Sequence, residues 1–297
     1  MNKNEDLKIN IGNGKNKKIM SLSKFDIKES LQVEPKENKT FGCFLINGLK
    51  GSGKTILVKD LIQQLLSFNK IKNIMIFNHN EKQYSDITKD INKIQKTFNG
   101  ETIDKIIEIQ SIKNSPPLLL VLENIYLEEN IKSIDSSFYY MLSNKKKLNI
   151  TLIITSTQPF ILKEEAMSLI DFSFIFTTSK ECDFNCLKNY YFKFITNKEI
   201  LKKLIYKINK YDCYVNVNLK NNTRIENAFM YYRVEDLNFS KINLISVKDI
   251  DLENTSLNDI HCKDLIHMIN INNEKIKELQ EKNEYLLKMI KYKLVNV

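Results

Sequence analysis

The sequence contains, at residues 48–55, the run Gly48-Leu49-Lys50-Gly51-Ser52-Gly53-Lys54-Thr55. This run matches the phosphate-loop pattern G-x-x-x-x-G-K-[ST], in which glycines permit a tight turn whose backbone N–H groups point at phosphate oxygens. In that pattern the lysine reaches the terminal phosphates and the hydroxyl holds magnesium, which assigns these roles to Lys54 and Thr55. The alternative is a chance glycine-rich turn, and the scarcity of glycine, seven in the whole chain, counts against it.

The residues on both sides of this loop predict the strand and the helix that a phosphate loop requires. FGCFLIN (41–47) is a short apolar run before the loop, and apolar side chains recur at helical spacing in TILVKDLIQQLLSF (55–68). Further apolar runs lie at 73–77, 118–122, 148–156 and 172–177, with helical patterns at 102–112, 128–145 and 178–210. Apolar runs that alternate with helices predict an α/β domain with a mainly parallel sheet covered by helices on both faces.

Composition excludes several classes of protein. Of the 297 residues, 42% are hydrophobic and 27% are charged, which excludes a wholly disordered or collagen-like chain. No apolar run approaches the roughly 18 residues of a membrane span, and the N-terminus lacks a secretory signal. The five cysteines are too sparse for a disulfide scaffold. We therefore expect a soluble, intracellular protein with reduced thiols and no membrane insertion.

Three regions are expected along the chain. Residues 1–38 are polar and predict a flexible arm, apart from a short helical pattern within residues 21–32. Residues 39–238 form the compact domain, which ends in a hairpin framed by YDCYVNV and NAFMYYRV. Residues 239–297 comprise a linker and a C-terminal helix with weak heptads. That helix is interpreted either as a short coiled coil or as an amphipathic helix folded back on its domain.

The chain carries 45 basic and 36 acidic residues, a net charge of +9 that favours polyanionic partners such as nucleic acid. Between Tyr190 and Arg224, lysines alternate with aromatic residues. These lysines are Lys193, Lys198, Lys202, Lys203, Lys207, Lys210 and Lys220, and the aromatic residues are Tyr191, Phe192, Phe194, Tyr206, Tyr211 and Tyr214. The pattern fits a surface that follows a DNA backbone, and it fits equally a solvated lysine face over a tyrosine-rich core.

An acidic residue follows the apolar run LLLVL (118–122), where a P-loop NTPase needs a carboxylate for its metal and its attacking water. Glu123 stands there, and the next residue, Asn124, cannot accept a proton at neutral pH. Three interpretations stay open: Glu123 combines both roles, Glu128 or Glu129 acts as the base, or hydrolysis is slow. Glu123 as an ordinary strand-end residue is the fourth.

The apolar run at 148–156 ends in Thr155-Ser156-Thr157-Gln158-Pro159. In a parallel sheet this end lies near the phosphate loop, so Gln158 is a candidate to orient water or to sense the γ-phosphate. Two sets of cysteine and histidine residues are weaker candidates for a functional site. Cys182 with Cys186, and His261 and Cys262 with His267, lack a second pair at metal-ligand spacing and are interpreted as incidental.

The order of these segments resembles the poxvirus-type virion DNA-packaging ATPases, a branch of the FtsK/HerA superfamily. The resemblance covers about residues 41–234 and rests on GLKGSGKT, LLLVLEN, NKKKLNITLIITSTQPF and FSFIFTTSKECDFNCLKNYY. Residues 147–158 are its more diagnostic part. The resemblance implies a RecA-like ATPase that assembles into a homo-oligomeric ring and drives double-stranded DNA into the capsid. It also implies ATP and Mg²⁺ as cofactors, contacts with virion or capsid proteins, and a location at assembly sites in the host cytoplasm.

By the same resemblance, Lys54 and Thr55 bind ATP and magnesium, Glu123 stands at the first Walker B acid, and Gln158 stands at the polar sensor. Two departures accompany these matches. Asn124 occupies the place of the second Walker B acid, which affects hydrolysis rather than binding. Lys146 occupies the place of an arginine before the strand, and a lysine supplies charge without a bidentate fork.

The sequence offers few candidates for an arginine finger, because Arg224 and Arg233 are its only arginines. Arg233 is the better candidate, since an ordered strand can aim it at a neighbour's phosphate site.

Two rival functions remain. The first is a structural or regulatory subunit that binds ATP but hydrolyses it poorly, which fits the two departures. The second is a small-molecule or nucleotide kinase, which shares the phosphate loop but requires an arginine-rich lid.

Overall fold

The fold is described from a computed structural model, which covers residues 7–10, 19–31, 42–68, 71, 73–124, 131–158, 162, 164–176, 181–192, 195, 197–208, 211–218, 229–234, 238–249, 277 and 280. Within them the strands are β1 (Leu7–Asn10), β2 (Ile19–Leu22), β3 (Cys43–Asn47), β4 (Asn73–Asn78), β5 (Leu118–Glu123), β6 (Ile150–Ser156), β7 (Phe172–Ile175), β8 (Asp212–Val217) and β9 (Phe229–Arg233). The α-helices are α1 (Ile27–Leu31), α2 (Lys54–Phe68), α3 (Gly100–Ser111), α4 (Ile131–Ser143), α5 (Glu164–Met167), α6 (Glu181–Tyr190) and α7 (Lys198–Lys207). Short 3-10 helices lie at Glu81–Tyr84, Ile91–Lys93 and Val247–Asp249.

Seven strands form the central sheet, in the order β4-β5-β6-β3-β7-β8-β9. The first five in this order pair in parallel, and β8 and β9 complete the sheet as an antiparallel hairpin. All residues of β3, β5 and β6 are buried, as expected for strands covered on both faces. The mainly parallel α/β fold predicted from the alternating apolar runs is confirmed, and so is the hairpin.

Two apolar cores lie on opposite faces of the sheet, because successive side chains of a strand point to opposite faces. Phe44 and Ile46 belong to the core that contains Leu57, Leu61 and Leu65 of α2. Cys43 and Leu45, the alternate residues of β3, belong to the other core, which is built from residues of α3 and α4. Strand β3 is therefore enclosed between helical layers, and its polar residue Asn47 lies at its carboxyl end.

Residues 19–31 differ from the expected flexible arm. Strand β2 pairs with β1, and Phe25 and Ile27 are each only 1% exposed. The Phe25 backbone N–H donates to the carbonyl oxygen of Tyr231 in β9 at 2.8 Å, and the Phe25 ring packs edge-on against Phe172. A few apolar residues within a polar segment thus cover the sheet near β9, and the average composition of the segment conceals them.

Other expectations fall on residues that the structure does not describe. The heptads of the C-terminal helix lie outside the described residues, apart from the isolated positions 277 and 280. Glu128, Glu129, Arg224 and His261 also lie outside them. Within the described part of the chain, every helix is too short or too polar to cross a bilayer.

Candidate nucleotide-binding site

The ends of three parallel strands bring the phosphate loop, Glu123 and Gln158 to one edge of the sheet. Asn47, the last residue of β3, pairs in register with Ser156, and Glu123, the last residue of β5, pairs with Thr155. The Gly48 N–H donates to the Ser156 carbonyl oxygen at 3.1 Å, which joins the start of the phosphate loop to the end of β6. The loop therefore starts one strand away from the end of β6 and two strands away from Glu123.

The phosphate loop has the backbone conformation that its glycines allow. Gly51 and Gly53 have φ angles of +82° and +110°, in the left-handed region that glycine enters without steric cost. The Ser52 N–H donates to the Leu49 carbonyl oxygen at 3.1 Å and closes the turn, while Lys50 is exposed. The Ser52 hydroxyl oxygen is buried and has no hydrogen-bond partner among the described residues. A buried orphan hydroxyl in this turn fits a loop that receives an anionic ligand.

Lys54 is the first residue of α2, and its side chain folds back over the loop. Its ammonium donates to the carbonyl oxygens of Gly48 at 2.7 Å and Leu49 at 3.0 Å. Burial lowers the pKa of Lys54 below its usual value, and the Glu123 carboxylate acts in the opposite direction. Two neutral carbonyl acceptors compensate a buried cation only in part, so an incoming phosphate is a stronger partner for it.

Glu123 is fully buried and receives hydrogen bonds on both carboxylate oxygens. The Thr55 hydroxyl donates to Oε1, whereas Oε2 accepts from the Tyr84 hydroxyl and from the Asn78 amide at 2.9 Å. Burial and the adjacent carboxylate raise the pKa of Tyr84 well above its usual value, which keeps the phenol protonated as a donor. This network fixes a carboxylate beside the first turn of α2.

The pair of Thr55 and Glu123 fits a magnesium site. Because the Thr55 hydroxyl gives its hydrogen to the carboxylate, its oxygen lone pairs are left to face a cation. Mg²⁺ takes oxygen ligands and is held in proteins by one or two carboxylates together with substrate phosphates. Magnesium bound there would neutralise negative charge on the terminal phosphates.

Asn124 has a φ angle of +48°, a left-handed conformation that asparagine and aspartate adopt more readily than other non-glycine residues. Its backbone N–H donates to the Thr155 hydroxyl at 2.9 Å, and that hydroxyl donates to the Asn124 side-chain oxygen at 3.4 Å. The amide is thus directed toward the end of β6. It supplies no proton acceptor for an attacking water, as the sequence predicts.

Gln158 lies just beyond the end of β6, and its side chain is exposed. The Ser156 hydroxyl donates to the Gln158 carbonyl oxygen at 2.8 Å and accepts from the Gln158 N–H at 3.0 Å. These bonds hold the turn close to the point where Ser156 meets Gly48. Gln158 therefore lies at the edge that carries the phosphate loop, and its sensing role stays a prediction.

Arg233 ends β9 at the same edge and forms a bidentate ion pair with Asp212, the first residue of β8. Its Nε donates to Asp212 Oδ1 at 2.8 Å, and its Nη2 donates to Oδ2 at 2.7 Å. The side chain of Asp212 is nearly buried, whereas that of Arg233 is half exposed. The guanidinium is held in one orientation at the rim of the sheet, and a role at a neighbouring subunit stays a prediction.

Lys146 lies at the opposite edge of the sheet from the phosphate loop. It precedes the amino end of β6, whose seven residues extend about 20 Å. There it lines a cleft of about 470 Å³ together with Lys145, Lys147 and Asp171. Lys146 is thus remote from the nucleotide site of its own chain, so the predicted catalytic role requires a neighbouring subunit.

The lysine-rich segment between Tyr190 and Arg224 contains both buried aromatic rings and partly exposed lysines. Tyr191, Phe192 and Tyr214 are buried in the core, so their rings cannot stack on nucleic-acid bases. Tyr206 is 58% exposed, and Lys202 and Lys203 are partly exposed on α7. The tyrosine-rich core is present, and the lysine face above it is still a candidate surface for DNA.

The cysteines show no sign of a metal site in the part of the chain described. Cys43, Cys186 and Cys213 are free thiols, and no group of three His, Cys, Asp or Glu residues within the described ranges is placed to hold a metal ion. Burial raises the pKa of Cys43 and of Cys213, which keeps both thiols protonated. The side chain of Cys182 lies outside the described residues.

Sequence reasoning missed several residues of this site. Asn78 is a polar residue at the end of an apolar run, which is the same signal that identifies Glu123. Tyr84 and Tyr211 carry no comparable signal, because their contacts depend on how separate segments pack. The ring of Tyr211 lies against Gly53 of the phosphate loop.

A phosphate loop between β3 and α2, beside an acidic strand end, defines the fold class as a RecA-like P-loop NTPase. No protein-family model matches the chain, and no curated protein matches its sequence.

Three solved structures illustrate the structural likeness. The genome packaging NTPase B204 from Sulfolobus turreted icosahedral virus 2, in complex with ATP-gammaS, is 17% identical over 65% of this chain and 97% of its own, with a TM-score of 0.48. The pCW3 conjugation coupling protein TcpA with ATPgS is 11% identical over 77% of each chain, with a TM-score of 0.45. The cytoplasmic domain of the Thermomonospora curvata Type VII secretion ATPase EccC is 13% identical over 85% of this chain and 30% of its own, with a TM-score of 0.44.

Proposed function

We propose that this protein is an ATPase that uses ATP and Mg²⁺ to move double-stranded DNA into virions. The observation that carries the nucleotide part of the proposal is the hydrogen bond from Thr55 to Glu123 beside the buried ammonium of Lys54. A chance glycine-rich turn does not explain why its lysine and threonine lie beside a fully buried carboxylate from another strand. A nucleotide site requires all three groups together.

The residues of the site have separate roles in this proposal. Lys54 transfers its hydrogen bonds from the carbonyl oxygens of Gly48 and Leu49 to the terminal phosphates, which are stronger acceptors because they are charged. Thr55 and Glu123 hold magnesium, and the backbone N–H groups of the loop bind the phosphates. Gln158, at the end of β6, orients the attacking water or senses the γ-phosphate.

The motor part of the proposal rests on the charge of the chain and on its resemblance to poxvirus-type packaging ATPases of the FtsK/HerA superfamily. A net charge of +9 and the lysines of α7 suit a partner with a phosphate backbone. In a homo-oligomeric ring, Arg233 or Lys146 of one subunit acts on the nucleotide of the next. Capsid or virion proteins, at assembly sites in the host cytoplasm, are the other partners of such a motor.

A second function is favoured by one specific observation. By the resemblance, Asn124 stands where the packaging ATPases have their second Walker B acid, and its side-chain oxygen accepts a hydrogen bond from Thr155. A chain that binds ATP at Lys54 and Thr55 but activates water poorly would serve as a structural or regulatory subunit of a packaging machine. The two functions differ in turnover and share ATP binding.

Steady-state ATP hydrolysis by the purified full chain, with and without linear double-stranded DNA, separates these functions. Stimulation of turnover by DNA supports the motor, and tight Mg²⁺-dependent ATP binding without turnover supports the subunit. Lys54→Ala, prepared in parallel, measures contaminating activity. Failure of the wild-type chain to bind ATP would contradict both functions.

A further inference from the structure

Tyr211 lies at the same edge of the sheet as the phosphate loop. It immediately precedes β8, and β8 runs antiparallel to β7, so the first residues of β8 lie beside the carboxyl end of β7. In the register, Ile175 of β7 pairs with Tyr214 on one side and with Asn47 of β3 on the other. The strand order thus places Tyr211 near the loop, although about 160 residues separate it from Gly53.

The ring of Tyr211 is in direct contact with the loop. A Cβ atom built on Gly53 would lie 2.6 Å from Tyr211 Cδ1 and 3.4 Å from Cε1, so only glycine leaves room for the ring. The residue is 37% exposed, so it is only partly covered at this edge. Tyr211 also has a φ angle of +73°, which is unusual for a bulky residue and is a feature of backbone positions that serve a site.

The geometry of the loop determines which end of a nucleotide Tyr211 faces. Glu123 and Thr55 mark the place of the metal and the terminal phosphates, and Glu123 lies on β5, two strands from β3. Tyr211 precedes β8, which lies two strands from β3 on the other side. A nucleotide whose terminal phosphates point toward Glu123 therefore extends its ribose and base toward Tyr211.

We infer that Tyr211 forms the nucleoside subsite of this protein and that its ring stacks on the base of the bound purine nucleotide. The inference rests on the proposed nucleotide binding. It assigns the selectivity for a nucleotide over a bare polyphosphate to a residue outside the phosphate loop. An aromatic ring is suited to this task because the faces of bases and of tyrosine are both flat and polarisable.

The same geometry links the subsite to the ion pair at the rim. Asp212 follows Tyr211 directly and holds Arg233 through two hydrogen bonds. Asp212 is nearly buried, so its position, and with it the start of β8, is fixed by packing and by charge. This anchor keeps the Tyr211 ring against Gly53 before a nucleotide arrives, which lowers the entropic cost of stacking.

Isothermal titration of the full chain with two magnesium-loaded probes tests the inference. One probe is a non-hydrolysable ATP analogue, and the other is inorganic tripolyphosphate, which lacks the ribose and the base. Tyr211→Ala is expected to weaken binding of the ATP analogue by about 5- to 150-fold, the range for loss of one base–aromatic stack. It should leave the affinity for tripolyphosphate within about twofold of wild type, and Tyr211→Phe should bind both probes normally.

Two further variants keep this test interpretable. Tyr211→Gly removes the ring but accepts the positive φ angle, so it gives the same selective loss without the strain that alanine retains. Tyr139→Ala is the matched control, since Tyr139 is 44% exposed on α4 and lies outside the site. Equal loss of both probes in Tyr211→Ala and Tyr211→Gly, or no loss of either, overturns the subsite. Failure of the wild type to bind either probe overturns the proposed function together with it.

Discussion

Thr55 donates its hydroxyl hydrogen to the Glu123 carboxylate and so connects the first turn of α2 to the end of β5, across 68 residues of sequence. The contact brings the phosphate-loop motif together with the acidic strand end, and these two segments make up the candidate nucleotide site. Because Glu123 also accepts from Asn78 and Tyr84, its carboxylate has little freedom to move.

Lys54→Ala is expected to reduce ATP turnover by about 10²-fold or more, because its ammonium is the buried cation placed for the terminal phosphates. Titration with ATP and a steady-state hydrolysis assay measure the loss. Lys113→Ala, an exposed lysine in the turn before β5, is the matched control and should behave as wild type. Wild-type affinity and turnover in Lys54→Ala would sink the assignment of the phosphate loop.

Asn124→Asp is expected to raise turnover, since a well-placed general base contributes about 10²–10⁴-fold. Aspartate suits this position because it tolerates the φ angle of +48° and can accept the same hydrogen bond from Thr155. Asn124→Glu restores the charge but fits the left-handed backbone less well, so its gain should be smaller.

A variant Asn124→Asp without increased turnover would assign the role of catalytic base to Glu123. If the wild type already hydrolyses ATP rapidly, and Asn124→Asp is neutral or harmful, then Glu123 acts as the base itself. Glu123→Gln would then be inactive while still binding ATP. If Glu123 instead holds only the metal, Glu123→Gln should weaken the Mg²⁺-dependent part of ATP binding.

Tyr84→Phe is expected to lower the free energy of unfolding by about 1.5–3 kcal/mol, the range for a hydrogen bond to a charged group. The phenol is fully buried and donates to Glu123, so its removal leaves the Asn78 amide as the donor to Oε2 among the described side chains. Urea unfolding measures the change, with Tyr139→Phe as an exposed control. A difference below about 0.5 kcal/mol between the two variants would show that Tyr84 does not stabilise the carboxylate.

Arg233 is expected to act across a subunit interface, and mixing two inactive variants tests this. Lys54→Ala subunits keep Arg233, whereas Arg233→Ala subunits keep the phosphate loop. Mixed rings therefore contain interfaces with one intact copy of each group, and hydrolysis should reappear on mixing. The same experiment with Lys146→Ala tests the alternative. Mixtures with no activity above either parent would argue against a role in trans.

Charge reversal of Lys202 and Lys203 together is expected to flatten the salt dependence of DNA binding. Each lost phosphate contact reduces the slope of log affinity against log salt by about 0.9. Titration of a labelled duplex at several salt concentrations gives the slope. Reversal of Lys105 and Lys113, two exposed lysines outside α7, controls for net charge. An unchanged slope in the α7 variant would leave its lysines as an ordinary solvated face.

The prediction from sequence succeeded where the information is local. The phosphate-loop motif consists of glycines and a lysine within eight consecutive residues, so spacing alone predicts the roles of Lys54 and Thr55. Apolar runs buried on both faces identify β3, β5 and β6 because enclosed strands leave no place for polar residues. The same reasoning failed for residues 19–31, where a few apolar side chains in a polar segment were enough for packing.

Pattern and spacing specify the helices and strands of this chain and the glycine-rich loop at residues 48–55, because both are set by neighbouring residues and by burial. The strand order β4-β5-β6-β3-β7-β8-β9 specifies the rest. It brings Tyr84 into contact with Glu123, Tyr211 with Gly53 and Asp212 with Arg233. It also puts Lys146 at the edge of the sheet opposite the phosphate loop. Contacts of this kind depend on the direction and register of strands distant in sequence, and a one-dimensional pattern does not record which strands become neighbours.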